Sequence, residues 1–465
     1  MQTGVRRRSL AVLGRSVLGI LVLALAAPLD GCSDPGATNA GEPAATSSAT
    51  LQLISPTSGA SWAQESVHRV VWAAPGAPAD AEVSVLVSTD GGRTFAEVAK
   101  APASREQALW TVPTAPSAIL QLKASWRSVA ELPVNLVLSP SAKRTYRWVK
   151  ITEDAGFPAR DGAGALTFAG KMWLIGGWNP NDHFPRLTSN DVWSSTDGVD
   201  WKLEKPNTFI PTTFDASADW EGRHAGGYAV YQNRMWIVGG DPLQGYYQGD
   251  VWSSADGRSW RRESGFAPWG ARSLHYTLVF KDRLWVMGGQ TMPDFVDRAS
   301  KPAYQVFQDV WTSTDGAGWS RLVTSGPMWS PRSAIMQGAV LNDRMWVVAG
   351  GTYEARNAGV MNRTYTNDVW SSADGVSWRR DLDAAPFSPR QYHSLVAWDD
   401  RLWVIGGYNE DNLDGAWYSG DGVNWYSTPT TWDPRHAASV WVHKDAVWLT
   451  GGGNVDVWRL QRANP

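Results

Sequence analysis

The chain has 465 residues, among them 29 tryptophans, 45 glycines and one cysteine, and a formal net charge of −3. One thiol excludes an intramolecular disulfide framework. A mildly acidic balance with no basic run after residue 31 argues against nucleic acid as a partner.

Arg6, Arg7 and Arg8 precede an apolar run from Val17 to Ala27, which leads into Leu29-Asp30-Gly31-Cys32. A basic segment, a short apolar core and a small residue before Cys resemble a bacterial lipoprotein signal. The resemblance implies a signal peptide over residues 1–31 and a lipidated Cys32; a simple signal peptide with an incidental Cys is the alternative. Several acyl chains would anchor stably, since each buried methylene contributes about 0.8 kcal/mol. Ser33 after the cysteine implies, by the same resemblance, outer-membrane placement in a Gram-negative cell envelope, either periplasmic or surface-exposed. Residues 32–50 are mostly Ala, Gly, Ser, Thr and Pro and read as a flexible tether. No apolar run after residue 32 is long enough to span a bilayer, so membrane contact is expected through lipid alone.

Residues 51–140 read as a second unit. Val70-Val71-Trp72, Val83-Ser84-Val85-Leu86-Val87 and Leu109-Trp110-Thr111-Val112-Pro113 are short strands separated by turn signals, as in a β-sandwich. The unit resembles bacterial immunoglobulin-like or fibronectin-like surface modules, with the role of a spacer. Ser88-Thr89-Asp90-Gly91-Gly92-Arg93-Thr94-Phe95 matches the Asp-box, which stabilises a hairpin and is not an active site.

From residue 141 to 465 a phrase repeats. An Arg lies 13 residues before a Trp at Arg160/Trp173, Arg223/Trp236, Arg272/Trp285, Arg390/Trp403 and Arg435/Trp448, and 14 before it at Arg332/Trp346. A second pair of tryptophans, 8 apart across Asp-Gly, recurs at Trp193/Trp201, Trp252/Trp260, Trp311/Trp319, Trp370/Trp378 and Trp417/Trp425. This period and content predict an all-β fold in which the sandwich is followed by a six-bladed β-propeller. After Trp458 the chain ends before its second Trp, while Trp148 lies 12 residues ahead of Arg160. The strand at 145–152 is therefore expected to complete the last blade and remove its free edge. Asp197-Gly198 supplies the positive φ of a tight hairpin.

The double glycine and the paired aromatic spacing resemble the kelch-repeat family. That resemblance implies fold more than function, because kelch propellers include protein-binding adaptors, a copper oxidase and sialic acid mutarotases. The oxidases similar to galactose oxidase need a Cys–Tyr crosslink, and this propeller has no Cys. No phosphate loop, dinucleotide fingerprint or Gly-x-Ser-x-Gly is present, so no cofactor is implied.

Two positions recur in every blade: Arg160, Arg223, Arg272, Arg332, Arg390 and Arg435, and three residues earlier Phe157, Trp220, Trp269, Trp329, Phe387 and Trp432. In kelch propellers these fall on the loop face around the central mouth. There they would form an anion- and sugar-binding collar. The competing reading is structural: Asp191, Asp250, Asp309, Asp368 and Asp456 recur before a Val-Trp pair, with Asp414 near the equivalent place, which is the stoichiometry of one ion pair per blade. Loops after the glycine pair break the symmetry, with 13 residues after Gly177, 9 after Gly240, 19 after Gly289, 16 after Gly351, then 7 and 3. They carry Trp178, Asp182, His183, Tyr246, Tyr247, Asp294, Asp297, Arg298, Tyr353, Glu354 and Arg356, and long loops on a rigid scaffold are where binding residues concentrate. His224 and His436 follow their Arg by one and His275 and His393 by three, offsets that share one face of a strand, so four histidines are expected to aim at one region. No tight His-x-His or His-Glu spacing supports a metal.

Two functions compete with a purely structural role in envelope assembly. One is a binding propeller for a glycan or protein ligand at the mouth. The other is an enzyme similar to the sialic acid mutarotases, with Arg223, Arg272 or Arg390 holding a carboxylate and His275, His393 or Glu221 moving protons. Clustering of Arg, His and carboxylates at one mouth would favour the enzyme; a flat aromatic-rimmed face would favour binding.

Overall fold

The computed structural model describes residues 49–463 apart from 128–129, 180–187, 211, 244–245, 292–302, 334–336 and 355–358, and gives backbone alone for Pro242, Leu243 and Tyr246. The signal and lipidation expectations, Cys32 included, lie outside the described residues, as do Asp182, His183, Asp294, Asp297, Arg298, Arg356 and the side chain of Tyr246. Strands dominate, and the only helical segment among the described residues is one 3-10 turn, Ala103–Arg105.

Residues 52–139 form two sheets around a shared core. Gln52–Ser55, Val67–Ala73 and Gln107–Thr111 make the smaller; Ser61–Ala63, Val134–Ser139, Ser117–Ala124, Glu82–Ser88 and Ala96–Pro102 make the larger. Alternation along Val67–Ala73 and Glu82–Ser88 sends every second residue inward, so Val70, Trp72, Val83, Val85, Leu120, Leu122 and Leu136 fill the space between them.

The remainder is a β-propeller built from four-stranded antiparallel sheets, six among the described residues. The first joins Gly164–Phe168, Lys171–Trp178, Thr188–Ser195 and Lys202–Lys205 in chain order, and four more follow the same meander. In the sixth, Ala438–His443, Ala446–Gly451 and Val457–Arg462 are completed by Tyr146–Thr152, with Leu460 opposite Trp148. Innermost strands touch neighbour to neighbour, and Ala438–His443 touches Gly164–Phe168 of the first sheet. The apolar cores lie between sheets: Leu166, Trp173 and Ile175 of the first pack with Trp220, Tyr228 and Ile237 of the second.

Each repeated residue has a place in this packing. The aromatic three before Arg stacks edge-on against the tryptophan of Asp-Gly-x-x-Trp in five sheets (Phe157 on Trp201, Trp220 on Trp260, Trp269 on Trp319, Trp329 on Trp378 and Phe387 on Trp425) and against Trp148 of the completing strand in the sixth (Trp432), with centroids 5.1 to 6.0 Å apart. The Asp-Gly turns share one hydrogen-bond pattern. Asp197 Oδ1 accepts the N–H of Val199 and Asp200, and Ser195 Oγ accepts that of Gly198. In the sandwich, Asp90 and Ser88 bond their hairpin in the same way, so the Asp-box seen once in the sequence is also the blade hairpin. Gly198 stands at φ 78°, and a Cβ there would come within 2.6 Å of the Trp448 ring of the sixth sheet.

The spacer expected from the sequence is fastened to the fifth sheet. Val67 N–H donates to Trp425 O at 2.8 Å, Ala63 N–H to Asn424 Oδ1 at 2.7 Å, and Arg69 reaches the carbonyls of Ala385, Pro386 and Phe387.

Candidate functional site

The site follows from a backbone device ahead of every sheet. The second residue after the repeated Arg has positive φ wherever it is described: Gly162, Ala225, Leu274, Tyr392 and Ala437, between 49° and 56°. Their peptides form a chain around the axis, with Ala225 N–H donating to Gly162 O, Leu274 to Ala225, Ala437 to Tyr392 and Gly162 to Ala437, at 2.8 to 2.9 Å. This chain is the floor of a mouth. The residue before four of them, directly after the Arg, pairs with the residue that follows a glycine pair: Asp161 with Trp178, His224 with Asp241, Ser273 with Gln290 and Gln391 with Tyr408.

The six arginines stay out of that mouth. Each is at most 3% exposed, and each Nη1 donates to the carbonyl at the start of the glycine pair (Gly176, Gly239, Gly288, Ala349, Gly406, Gly451). Five form two-pronged pairs with Asp: Arg160–Asp191 at 2.7 and 2.9 Å, Arg223–Asp250 at 2.5 and 3.2 Å, Arg272–Asp309 at 2.6 and 3.1 Å, Arg332–Asp368 at 2.6 and 2.9 Å and Arg435–Asp456 at 2.8 and 3.2 Å. The collar reading is therefore corrected: Arg160, Arg223, Arg272, Arg332 and Arg435 spend their donors on an aspartate inside the fold, and Arg390, equally buried but without that aspartate, does not line the mouth either. In the fourth sheet the turn is Ala349-Gly350, at φ 55° and 109°, so the register runs one residue ahead of Gly350-Gly351.

The histidines divide. His224 and His436 line the mouth, whereas His275 and His393 are fully buried outside it, and burial pushes both down to about 3. Offsets of one and three share a face only in a regular strand. Here the residue between has positive φ, which rotates the chain and sends the later histidine into the wall. Glu221 is held by the Gln248 amide.

The mouth opens on a cavity of about 240 Å³ lined by Asp161, Trp178, His224, Asp241, Tyr247, Ser273, Tyr353, Arg363, Tyr392, Tyr408 and His436. His436 Nε2 stands 3.8 Å from Asp161 Oδ2, and its Nδ1 meets Asn412 Oδ1 at 2.6 Å. That acceptor places the imidazole hydrogen on Nδ1 and leaves a lone pair on Nε2 facing Asp161. Burial pushes the Asp161 carboxyl up to about 7. Burial pushes His224 down to about 4 and also lowers His436, with the Arg363 charge adding to the effect on His436. Below about pH 7 the mouth thus holds a carboxylic acid beside an imidazole whose charged form burial disfavours.

Arg363, just ahead of Thr364–Ser372, supplies the cation. It bonds Tyr353 OH at 3.0 Å, lies 4.3 Å from the Tyr353 ring and 5.2 Å from that of Tyr408, and is 3.6 Å from Glu354. Tyr392 and Tyr408 flank His436 at 5.7 and 5.5 Å.

Sequence reasoning placed Trp178, His224, Tyr247, Tyr353 and His436 among the candidates, all of which line this cavity, and Glu354, which abuts it through Arg363. It missed Asp161, Arg363, Tyr392 and Tyr408. The available signal was positional, because the slot after each Arg and the slot after each glycine pair differ from blade to blade while their neighbours repeat.

No family model matches the chain, and no curated protein matches it. Among solved structures it is similar to YjhT, at 15% identity over 65% of this chain and 94% of that one, with a TM-score of 0.46. It is also similar to a putative glycoside hydrolase from Parabacteroides distasonis (11% identity, 69% and 97% of the two chains, TM-score 0.35) and to a family 117 glycoside hydrolase from Zobellia galactanivorans (10%, 68% and 90%, TM-score 0.30).

Proposed function

We propose that the chain is a six-bladed propeller closed by Tyr146–Thr152, behind an immunoglobulin- or fibronectin-like sandwich, and that its mouth binds a small acidic sugar and transfers protons on it. The observation that carries this reading is the convergence of Arg363, the rings of Tyr353, Tyr392 and Tyr408, and the Asp161–His436 pair in one cavity. Arg363 would take the sugar carboxylate, and the rings would stack on the apolar face of the pyranose. His436 Nε2 would accept the proton of the anomeric hydroxyl while Asp161 donates one to the ring oxygen, so the ring bond breaks; reversal on the other face closes the opposite anomer. This is mutarotation or a related epimerisation, and it consumes nothing.

The test is NMR exchange between the anomers of a panel of acidic monosaccharides. Wild-type chain is expected to accelerate exchange for at least one of them. Asp161→Asn is expected to lose about 10²–10⁴-fold of that acceleration while still binding, the usual size of a general-acid contribution. Exchange at the uncatalysed rate for every sugar that binds would overturn the enzymatic reading and leave a glycan-binding mouth, which the tyrosine-rich wall also supports.

Lipid anchoring in the bacterial cell envelope belongs to the same proposal and rests on the Leu29–Cys32 sequence. Radiolabelled palmitate should enter the wild-type protein in bacteria and fail to enter Cys32→Ala; equal labelling of the two would sink it.

A further inference from the structure

The fifth sheet breaks the Arg–Asp rule in one half only. In its third strand Ala416 lies opposite Ile405, as Val192 lies opposite Ile175 in the first sheet, so Gly415 stands where Asp191, Asp250, Asp309, Asp368 and Asp456 stand elsewhere. The donors that serve that carboxylate are kept. In five sheets it accepts the Arg fork and also an indole N–H, from Trp193, Trp252, Trp311, Trp370 or Trp458 at 2.6 to 2.8 Å. Arg390 and Trp417 are the corresponding donors here. Arg390 is 3% exposed, and its only bonds are to Ser388 O, Ser388 Oγ and Gly406 O, none to a carboxylate. Asp414, one residue earlier, is exposed and forms no ion pair with it. Burial holds the Arg390 guanidinium down to about 10, and the charge of Asp414, too far away for an ion pair, offsets only part of that.

These donors face open space. Arg390, Gly415 and Trp417 line a cavity of about 480 Å³ whose apolar side includes Leu413 and Pro429 of the propeller and Leu109 of the sandwich, with Asp414 and Thr428 also at its wall. A Cβ on Gly415 would meet nothing nearer than Trp417 Nε1 at 3.5 Å. Leu109 is 45% exposed, and the bonds of Arg69 to the carbonyls of 385–387 hold its sheet against this corner.

We propose that Arg390 and Trp417 bind the carboxylate of an external ligand, a small acid with a short apolar tail lying against Leu109, Leu413 and Pro429. The ligand's two oxygens take the place that an aspartate side chain fills in the other sheets, between the guanidinium fork and the indole N–H. A tetrahedral, strongly hydrated anion fits this site less well, because the fork and the indole are set for a planar acceptor and the far wall is apolar. The site is separate from the mouth and does not depend on its chemistry.

The full chain titrated calorimetrically with sodium acetate, propionate and butyrate at constant ionic strength, with sodium phosphate in parallel, tests the site. Binding is expected at roughly millimolar strength, as a few charge-assisted hydrogen bonds allow. Each added methylene should tighten it by about fourfold, the equivalent of ~0.8 kcal/mol of apolar transfer. Trp417→Phe keeps the ring and removes the N–H, and should weaken butyrate by about tenfold or more. Gly415→Asp supplies the missing carboxylate and should abolish binding; should the left-handed backbone at that position (φ 93°) prevent this variant from folding, Trp417→Phe alone decides. No heat with any of the three acids, phosphate binding as tightly as butyrate, or butyrate affinity unchanged by Trp417→Phe would each overturn the proposal.

Discussion

Asp250→Ala is expected to destabilise the propeller by about 3–5 kcal/mol, the usual cost of removing one partner of a buried ion pair. Arg223 beneath it is fully buried and relies on Asp250 for two of its bonds, at 2.5 and 3.2 Å, while Trp252 Nε1 donates to the same carboxylate at 2.7 Å. Alanine removes three acceptor contacts and leaves a charge and an indole N–H in a space too tight to hydrate well. Chemical denaturation of wild type and variant measures the loss. The double variant Asp250→Ala/Arg223→Met should recover a large part of it, since replacing a whole buried pair by apolar volume is often neutral. A single-variant loss under about 1 kcal/mol would mean that the pair is as weak as an exposed one.

The same pairs set the acid limit of the fold. Burial alone would raise Asp191 and Asp250, but the charge and hydrogen bonds of Arg160 and Arg223 outweigh it and hold both below the ordinary carboxylate range. A carboxyl depressed in the folded state gives stability that is present above its unfolded value and is lost as pH falls through the folded one. The pairs therefore support the fold at neutral pH and give way only in strong acid.

What the sequence made legible was whatever the ring needs in every blade. Trp193/Trp201 and its four counterparts have constant spacing because a hairpin of fixed length joins two strands, and Asp197 closes that hairpin on its own backbone N–H groups. Trp148 pairs opposite Leu460 because the last sheet lacks a fourth strand of its own. Symmetry also misled. A repeated Arg beside a repeated aromatic suggests a collar when strung along a sequence. In space Arg160 turns toward Asp191 and Phe157 toward Trp201, and neither faces the mouth.

The residues that build the site were harder to read because local backbone decides their direction. Tyr392 occupies a left-handed position that Gly162, Ala225 and Ala437 fill with small side chains, so its ring projects into the mouth. The same left-handed step separates His224 from the His275-type position, which strand alternation would have placed on one face. Arg363 sits at the end of a long loop with no repeat partner, and only its approach to Tyr353 and Tyr408 reveals its role. Gly415 is a different lesson: the sequence offered Asp414 near the place of the sixth aspartate, and only the strand register, the retained donors Arg390 and Trp417 and the space beside them show Gly415 standing there instead.

Asp161→Asn is expected to act in two directions at once, raising stability while removing proton transfer. Burial moves the Asp161 carboxyl from its ordinary value near 3.8 to about 7, so the folded chain holds a proton that the unfolded chain releases. Stability from this group is full in acid, falls as pH rises from about 4 to about 7, and stays at its low level above that. Three pK units would correspond to about 4 kcal/mol, and contact with solvent at the mouth reduces the expected gain for the amide to about 2–3 kcal/mol at pH 8. His224, held down to about 4, slopes the other way: it makes the fold more stable as pH rises from about 4 to its unfolded value near 6.5. In the wild type the two slopes oppose each other across mildly acidic pH; in the variant the rising one stands alone. Melting temperatures of both proteins from pH 4 to pH 8 should therefore diverge steadily, the variant gaining most at the alkaline end. A difference that stays constant with pH would show Asp161 already ionised against a protonated His436, and the acid in the mouth would then be the imidazolium. The exchange experiment separates the same two states, because an Asp161 that donates a proton loses its rate as pH climbs past about 7, whereas an ionised Asp161 that only orients His436 follows the imidazole instead.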